Sequence, residues 1–393
     1  MNELSRPHSE GGASRLPRIC FVGLHNLPVL AREYSAHGIG GEEVQHTLLA
    51  RALAARGYDV SMVVMDYGQA DGSAWEGITT YKTYRSGDGL PVLRFFHPRW
   101  TGVWSAMKRA EADIYYLSSA SLRVGLSALF SRMHHRKLVF RIASDMDCEP
   151  EKLLIEYNYW RDRRIYEYGL RRAHAILAQS LHQQDAMKLN YGLSSTIAPM
   201  LVDQPRDIWA FEQRTIPVLW VSNIRQLKRP DLVLEFAARA PDIAVHMIGG
   251  RIADSQKLFD EISQRAAGLP NVTFHGQIPY HAVNDYFSKS LVFTNTSDIE
   301  GFPNSYLQAW SRGTPVVAFF DPDGLIAREG LGVAVSNMEE MRQAVKELIT
   351  NREQWLAASA RCVAFMRREF NEDRILVPYL ATFRRLADQR VRA

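Results

Sequence analysis

The sequence predicts an α/β protein of two Rossmann-like domains, with parallel sheets that face each other across a central cleft. Short apolar, β-rich runs alternate with helix-favouring segments along nearly the whole chain, a pattern typical of parallel sheets covered by helices on both faces. The alternation forms two series of roughly equal length. A polar stretch at Trp209–Thr215 separates the two series, and we place the domain boundary there.

The first series opens with the apolar run Arg18–Leu24 and a loop that contains glycines. Glu42–Arg56 then favours a helix with one apolar face. The residues on that face are Val44, Leu48, Ala52 and Ala55. Gly57 suits the end of this helix, and the strand Tyr58–Met65 completes a βαβ unit. The further strands predicted in this series are Asp113–Leu117, Lys137–Ile142 and Ala173–Ala178.

The second series repeats the alternation and ends in helices. Its predicted strands are Pro217–Ser222, Ile243–Ile248, Val272–His275, Leu291–Asn295 and Pro315–Ala318. Two helical stretches, Met338–Phe370 and Glu372–Gln389, end the chain. The predicted organisation is a disordered tail at 1–17, a first domain at 18–200, a linker at 201–216, a second domain at 217–370, and a C-terminal helix at 371–393 that returns to the first domain.

Composition excludes several classes of protein. With 46% hydrophobic and 23% charged residues among 393, the chain is too apolar for a disordered protein. Cys20, Cys148 and Cys362 are odd in number and far apart, which indicates neither a disulfide scaffold nor a cysteine-rich zinc module. The net charge of +4 is too small for a dedicated nucleic-acid binder, and the surplus lies in residues 1–200, which hold 24 basic and 20 acidic residues. Without a membrane-length apolar run or a secretory signal, we expect a cytoplasmic protein.

The segment Asp298–Trp310 follows a predicted strand and opens a helix near Pro303. In open α/β sheets ligands bind beyond the carboxyl ends of the strands, and the free N–H groups of a helix start attract anions. Glu300 lies beside this start, where a carboxylate repels a phosphate but binds sugar hydroxyls through charge-assisted hydrogen bonds. The pattern therefore indicates a sugar attached to a diphosphate. The alternative is an acidic cap on an ordinary helix.

Two more loops follow predicted strands. Trp220–Pro230 places Arg225, Lys228 and Arg229 at a carboxyl end. Cations there would neutralise a diphosphate leaving group, although the segment alone also fits a solvated basic turn. The pair Gly40-Gly41 either lets the backbone approach a ligand closely or forms a tight turn. The GxGxxG spacing is missing from this loop, which disfavours an oxidoreductase.

The loop after the predicted strand Lys137–Ile142 contains Asp145, Met146 and Asp147. Two carboxylates at this spacing suit a Mg²⁺ or Mn²⁺ ion that bridges a diphosphate. Because Lys228 and the helix start already supply positive charge, we expect no metal and no cofactor. We instead assign Asp145 a catalytic role, in which it orients or deprotonates an acceptor.

Taken in order, these segments resemble the family 4 (group 1) retaining glycosyltransferases of the GT-B fold, over about residues 18–370. The similar phrases are GGEEVQHTLLARALAARGYDV, AHAILAQS, WVSNIRQLKRPDLVLEFA, HMIGG, VTFHGQIP and EGFPNSYLQAWSRGTPVVA. The resemblance implies transfer of a sugar, with retained configuration, from a nucleoside-diphosphate sugar to an acceptor hydroxyl on a glycan, glycolipid or small molecule. It also implies a place in surface polysaccharide or glycoconjugate synthesis.

Carried onto this sequence, the family's pattern assigns Glu300 to the hydroxyls of the donor sugar and Lys228 to the diphosphate, both as catalytic residues. The first domain would bind the acceptor and the second the nucleotide sugar, with Gly41 near both phosphate and acceptor. The remaining donor-binding residues that the resemblance implies are Asn223, Arg225, Gly250, Gln277, Ile278, Gly301, Phe302, Pro303, Asn304, Ser305 and Gln308.

The chain departs from the family's pattern at three places. Gln308 stands where the family has a second glutamate, so we expect an uncharged hydrogen bond to a ribose hydroxyl. Asn223 stands where the family usually has an arginine, and we expect Arg225 to substitute for it. The histidine that many relatives carry after a central strand of the first domain is missing from LVFRIASDMDCEP.

The expected partners are a nucleotide-sugar donor and a sugar or lipid-linked acceptor, with no nucleic acid. The aromatic and basic stretch Glu149–Arg172 fits an amphipathic helix that packs on its own domain, and it also fits a peripheral contact with the inner face of a membrane. Two other functions remain open. One is a nucleotide-sugar epimerase on a similar scaffold, and the other is a sugar-nucleotide-binding protein without catalysis, which Gln308 and Asn223 would allow.

Overall fold

A computed structural model describes residues 15–35, 37–90, 95–156, 159–251, 255–298 and 300–391. Residues 1–14 of the expected tail lie outside this part of the chain. The described residues form two α/β domains, each built on a sheet of parallel strands, so the predicted fold class is confirmed.

The first domain contains an eight-stranded sheet with the order β3-β4-β2-β1-β5-β6-β7-β8. Its strands are β1 (Ile19–Val22), β2 (Val60–Val64), β3 (Ala74–Trp75), β4 (Ile78–Lys82), β5 (Ile114–Ser118), β6 (Lys137–Arg141), β7 (Ala175–Ala178) and β8 (Thr196–Ile197). All neighbours pair in parallel except β3 and β4, which form an antiparallel hairpin. The central strands β1, β2 and β5 are buried along their whole length, as parallel strands between helical layers are.

The second domain contains a six-stranded, fully parallel sheet with the order β11-β10-β9-β12-β13-β14. Its strands are β9 (Ile216–Val221), β10 (Val245–Ile248), β11 (Val272–Phe274), β12 (Ser290–Asn295), β13 (Val316–Ala318) and β14 (Gly332–Ala334). The neighbours β9 and β12 lie at the centre, so the loops that follow them emerge side by side.

Helices cover both sheets. Those of the first domain are α1 (Leu27–Leu30), α2 (Gly41–Ala54), α3 (Thr101–Ala110), α4 (Leu122–Met133), α5 (Pro150–Glu156), α6 (Trp160–Leu170) and α7 (Leu181–Tyr191). The later helices are α8 (Pro230–Arg239), α9 (Gln256–Ala267), α10 (Tyr280–Lys289), α11 (Asn304–Ser311), α12 (Leu325–Glu329), α13 (Met338–Thr350), α14 (Arg352–Glu369) and α15 (Glu372–Val391). No helix in the described ranges combines the length and the apolar character that a membrane crossing requires.

Four strands were not expected from the sequence. They are β3, β4, β8 and β14. The hairpin of β3 and β4 turns through Glu76 and Gly77, both at positive φ, as a two-residue turn between twisted strands requires. The strand β14 has three residues and begins at Gly332 (φ +146°), where a Cβ atom would collide with the backbone of Val316. β3, β8 and β14 have only two or three residues and leave too little periodicity to be recognised, whereas β4 has five residues and was missed despite an ordinary length.

The helix α2 ends earlier than expected and is buried more completely. It ends at Ala54, so Ala55, predicted on the apolar face, is an exposed residue at the C-cap. The Glu43 side chain accepts a hydrogen bond from the Gly40 N–H (2.8 Å) and closes the start of the helix. Every residue from 44 to 50 is buried, whichever way it points. This burial follows from the position of α2, which packs on its own domain and also contacts the second.

The expected amphipathic stretch Glu149–Arg172 forms two helices, α5 and α6, rather than one; residues 157–158 lie outside the described part. α6 packs closely on α4 through two glycines. A Cβ on Gly125 would lie 2.4 Å from the Ile165 carbonyl oxygen, and a Cβ on Gly169 would lie 2.5 Å from the Val124 backbone. Only glycine at both positions permits this approach.

The C-terminal region also divides where a single helix was predicted. Asn351 interrupts Met338–Phe370, because its side chain accepts a hydrogen bond from the Gln354 N–H (3.1 Å) and caps α14. The last helix, α15, lies on the first domain. The Tyr379 hydroxyl donates to the Pro199 carbonyl (2.9 Å) from a site that is 1% exposed.

Candidate active site

The loops after β9 and β12 form the second-domain face of the cleft, which we define as residues 222–229, 296–298 and 300–304. Lys228 ends a 3₁₀ turn after β9, and Glu300 follows β12. The Lys228 Nζ lies 2.6 Å from the Glu300 Oε2, and the two side chains are 18% and 11% exposed. The structure therefore brings together the two predicted catalytic residues, close enough to share one ligand.

Neighbouring groups hold both residues of this ion pair. The Asn295 Nδ2 donates to the Glu300 Oε1 (3.3 Å), and the Thr296 Oγ1 donates to the Lys228 carbonyl (2.9 Å). The Asp298 N–H donates to the Leu227 carbonyl (2.9 Å), which ties the two loops to each other. The end of β12 and the loop that follows it thus hold both residues of the ion pair in place.

The helix α11 begins one residue later than expected. Pro303 is its N-cap residue, with extended backbone, and Asn304 is the first helical residue. The N–H groups of the first turn have no acceptor within a helix and point out of its start. They lie at the cleft, so the N–H groups of Asn304 and Ser305 are the ones that the predicted anion site would use.

Two residues of the predicted donor loop, Gly301 and Phe302, have structural roles. The Phe302 ring lies 6.4 Å from the ring of Trp310 and 6.3 Å from that of Phe370, as part of the core packing. Gly301 lies against the first domain, where a Cβ would be 2.8 Å from the Ala143 carbonyl oxygen. At these two positions the backbone is therefore the part that could contact a ligand, as the resemblance implies.

Three hydrogen bonds cross the cleft beside α11. The Asn304 Nδ2 donates to the Gly41 carbonyl (2.9 Å), and the Gln45 Nε2 donates to the Asn304 Oδ1 (2.8 Å). The Asn223 Nδ2 donates to the Ile39 carbonyl (2.8 Å). The predicted residues Gly41, Asn223 and Asn304 therefore meet at one place.

Gln45 was missed in the sequence analysis. It is 5% exposed, and its amide also bonds to the backbone of Leu201 in the linker, through Nε2 to the carbonyl and through Oε1 from the N–H. It therefore connects α2, the linker and the start of α11. No local signal in the sequence marks Gln45, because its burial comes from contacts with the linker and with the start of α11.

The three cations of the predicted basic turn, Arg225, Lys228 and Arg229, have different partners. Arg229 forms ion pairs with Asp231 (2.8 Å) and Asp298 (3.3 Å), away from Lys228. Arg225 precedes the 3₁₀ turn, is half-buried, and has no ion-pair partner among the described residues. Of the three cations, Lys228 is the one paired with Glu300 at the cleft.

The predicted nucleoside contacts surround the end of β10. A Cβ on Gly250 would lie 3.2 Å from the Gln277 Oε1, so these two residues are neighbours, and Ile278 packs on the edge of the core. Gln308 is 8% exposed, and its Nε2 donates to the Asn284 Oδ1 (2.9 Å). Gln308 therefore already has a protein partner in α10.

Residues 38–46 and 143–149 form the first-domain face of the cleft. Here the Gln183 Nε2 donates to the Asp145 Oδ1 (3.0 Å), and burial raises the pKa of Asp145 to about 6. Asp147 points the other way: its carboxylate accepts from the N–H groups of Ala143 (2.7 Å) and Ala120 (2.9 Å) and is 3% exposed. The two aspartates therefore do not form a cation-binding pair.

Another set of ligand atoms lies together beside Asp145. One atom each from Asp145, Glu149 and His182 lies within 4.8 Å of the others, a spacing that could hold a divalent ion. The His182 Nε2 is 3.3 Å from the Glu149 Oε1, so the group is also satisfied internally. His182 was not singled out from the sequence.

A buried polar cluster below the first-domain face was also missed. The His46 Nε2 is 2.9 Å from the Ser118 Oγ, and its Nδ1 is 3.2 Å from the Asn26 Nδ2. Burial lowers the pKa of His46 to about 3 and raises that of Glu42 to about 8. Both side chains are therefore held mainly in their uncharged forms at neutral pH.

The fold is shared with solved structures of low sequence identity. The structure resembles sucrose-phosphate synthase from Thermosynechococcus elongatus (TM-score 0.71, 15% identity, 95% of this chain and 100% of that one). It also resembles the lipopolysaccharide glycosyltransferase WaaG (TM-score 0.66, 15% identity, 93% and 98%) and Anabaena HepE in complex with UDP and glucose (TM-score 0.65, 14% identity, 96% and 100%). The fold is GT-B.

Two family models match consecutive parts of the chain. Residues 39–204 match Glycosyltransferase Family 4, and residues 216–351 match Glycosyl transferases group 1. The chain belongs to the family 4 (group 1) glycosyltransferases, as its motifs indicated.

Curated relatives match over shorter regions. The O-antigen biosynthesis glycosyltransferase WbnH of Escherichia coli is 29% identical over 133 residues, 33% of this chain and 36% of the relative. D-inositol 3-phosphate glycosyltransferase of Geodermatophilus obscurus is 29% identical over 194 residues, 45% and 43%. The chain thus spans about a third to a half of the length of the curated relatives that it matches.

Proposed function

We propose that this protein is a retaining glycosyltransferase that moves a sugar from a nucleoside-diphosphate sugar to an acceptor hydroxyl, in surface polysaccharide or glycoconjugate synthesis. The observation that carries the proposal is the 2.6 Å ion pair of Lys228 and Glu300 beside the start of α11. A cation next to unsatisfied N–H groups suits a diphosphate, and the carboxylate suits sugar hydroxyls. The relatives named for O-antigen biosynthesis support the cellular role.

Donor binding would exchange the partners of this ion pair. A diphosphate would take Lys228 and a sugar hydroxyl would take Glu300, so neither of these poorly exposed charges is left without a partner. Negative charge grows on the diphosphate as the bond to the sugar breaks. Lys228 and the N–H groups of Asn304 and Ser305 would therefore stabilise the transition state more than the bound donor.

The transfer itself balances without a further reactant. The bond between the anomeric carbon and the diphosphate oxygen breaks, and a bond to the acceptor oxygen forms on the same face of the sugar. The acceptor proton passes to an oxygen of the departing diphosphate. Asp145, on the opposite face of the cleft, would orient the acceptor hydroxyl. Because Lys228 supplies the positive charge at the diphosphate, we propose that no metal cofactor takes part.

The test combines donor binding with a variant. Thermal shifts with UDP, GDP and ADP and their sugars, each with and without EDTA, would identify the donor, and EDTA is expected to change nothing. Glu300→Ala is expected to lower the transfer rate by about 10²- to 10³-fold, because it removes a contact to the reacting sugar. Glu353→Ala, an exposed carboxylate of α14, is the matched control and keeps full activity.

Each contrary result has a defined meaning. Full activity of the Glu300→Ala variant contradicts the assigned role of the ion pair. Turnover of the donor without any acceptor indicates an epimerase, and tight donor binding without turnover on any acceptor indicates a binding protein. Loss of donor binding in EDTA contradicts the metal-free mechanism.

We further propose a peripheral membrane contact at the start of α6. Tyr159 and Trp160 are 63% and 77% exposed, and the Arg161 guanidinium lies 5.7 Å from the centre of the Tyr159 ring. Exposed aromatic and basic side chains together favour a membrane surface. The protein should sediment with vesicles of phosphatidylcholine and phosphatidylglycerol, and Trp160→Ala should weaken this. Leu189→Ala, equally exposed on α7, is the control. Sedimentation unchanged by Trp160→Ala contradicts the proposal.

A further inference from the structure

The first domain contains a cavity that is separate from the cleft. Its volume is about 530 Å³. Lys137 is the first residue of β6, and His174 directly precedes β7, so the cavity lies at the amino-terminal edge of the sheet. The cleft loops follow the carboxyl ends of the strands, at the opposite edge. The basic and histidine side chains that line the cavity are Arg132, His135, Arg136, Lys137, Arg172 and His174.

The charges around this cavity have one sign. The described residues that line it include no carboxylate. Arg136 has an acidic partner, since its Nη1 lies 3.3 Å from the Asp113 Oδ1. Arg132, Lys137 and Arg172 have no ion-pair partner in the part of the chain that the structure describes. Arg172 also stacks on the Tyr168 ring, with its Cζ 3.9 Å from the ring centre, which leaves its positive charge unneutralised. Three cations without a carboxylate partner around one concave space attract a multivalent anion.

The histidine at the cavity wall adds a neutral donor. The His174 Nδ1 accepts a hydrogen bond from the Leu138 N–H (3.1 Å), which places the ring proton on Nε2. Burial and the neighbouring Lys137 lower the pKa of His174. The ring is therefore uncharged at neutral pH and offers one N–H, while the arginines and the lysine supply the charge.

Helix ends explain only part of this arrangement. Arg132 lies in the last turn of α4 and Arg172 follows the end of α6, where cations stabilise the carbonyl end of a helix. Lys137 begins a strand and has no such role. Stabilisation of helix ends therefore does not explain why all three cations line one cavity. These three cations are part of the positive surplus in the first half of the chain.

We propose that this cavity binds a ligand that presents phosphate groups. Arg132 and Arg172 would each hold phosphate oxygens through paired N–H groups, and Lys137 and His174 would add single hydrogen bonds. The site is separate from the donor site and does not depend on the glycosyl transfer proposed above. The phosphate comes from a soluble molecule or from a lipid headgroup, and the chemistry of recognition is the same for both.

The experiment measures pyrophosphate binding to the full chain by calorimetry. Because pyrophosphate resembles the product of the donor site, the background is the Lys228→Ala variant. We expect binding to persist in that background and to weaken about tenfold or more when Arg132→Gln, Lys137→Gln and Arg172→Gln are added, since three cations are lost. The matched control replaces three exposed cations of the second domain, Lys257, Lys346 and Arg367, with Gln and keeps the affinity.

Two further arms complete the test. Arg132→Gln alone, an exposed single change, should weaken binding by a smaller factor, which keeps the test valid if the triple variant fails to fold. Vesicles with phosphatidylglycerol replace pyrophosphate in the second arm, which is run in a Trp160→Ala background because Trp160 belongs to the separate membrane contact proposed at the start of α6. If the protein binds pyrophosphate and the variants lose this binding, the ligand is a soluble molecule. If the protein binds only vesicles and the same variants lose this binding, the ligand is a lipid headgroup. Binding of neither, or binding that the variants leave unchanged, overturns the proposal.

Discussion

The two faces of the cleft carry their charges in different ways. On the second-domain face, Lys228 and Glu300 form a direct ion pair that the ends of two neighbouring strands hold in place. On the first-domain face, the titratable groups are controlled by burial. Burial raises the pKa of Glu42 to about 8 and of Asp145 to about 6, and it lowers that of His46 to about 3.

This difference shows what each face can do. A fixed ion pair beside a helix start suits a ligand part that is always the same, such as a diphosphate and its sugar. Of the first-domain groups, Asp145 has a raised pKa of about 6 and can exchange a proton near neutral pH, which suits an acceptor hydroxyl. Substitutions at the contact between the faces and at Asp145 test this difference.

A large effect, second to that of Glu300→Ala, is expected for Gly41→Ala, where the two faces touch. A Cβ at this position would lie 2.5 Å from the Asn304 Nδ2, so the Asn304 side chain must move. Its bonds to the Gly41 carbonyl and to Gln45 would be lost, and the start of α11 would shift relative to α2. We expect a transfer rate about 10- to 100-fold lower, measured with the donor found by thermal shift.

Two variants test this explanation. Gly38→Ala serves as the control, because a Cβ there meets only the Arg251 carbonyl oxygen at an ordinary 3.7 Å, and it should keep full activity. Asn304→Ala should lower the rate as Gly41→Ala does, and the double variant should be no worse than either single one. Losses that multiply in the double variant would show that Gly41 acts independently of Asn304.

A smaller effect, on the pH profile, is expected for Asp145→Asn. Burial raises the pKa of Asp145 from 3.8 to about 6, so the folded state binds the proton more tightly than the unfolded chain. The stability gained from this protonation is full below pH 3.8 and is lost as the pH rises through 6. Asp145→Asn should therefore gain on the order of 1–3 kcal/mol relative to wild type above pH 6 and nothing below about pH 4.

Activity should respond in the opposite direction. If the ionised carboxylate orients the acceptor, the wild-type rate falls as the pH drops through about 6, and the Asp145→Asn variant is slower at neutral pH and lacks this inflection. Denaturant melts and rate profiles over pH 4–8 measure the two effects. Asp242→Asn, an exposed carboxylate of the second domain, should match wild type in both. A stability difference that is constant with pH would contradict the burial of an ionising Asp145.

The sequence predicted the second-domain face more completely than the first. Lys228 and Glu300 were singled out because each follows a predicted strand, and the carboxyl ends of parallel strands lie at one edge. The roles expected for them came from the resemblance to the family 4 glycosyltransferases. The error there was small, since Pro303 precedes α11 instead of opening it. Gln45, Glu42, His46 and His182 were missed, because their environment comes from segments far away in the sequence.

The alternation of strands and helices, the two parallel-sheet domains and the positions of the loops after β9 and β12 could be predicted from the sequence, because they depend on local patterns of apolar residues and on short motifs. The tertiary structure decided which of three neighbouring cations meets Glu300, that Asp147 turns away from Asp145, and which first-domain groups are uncharged. Ion pairing and desolvation depend on distances in space, and a pattern along the chain does not contain them.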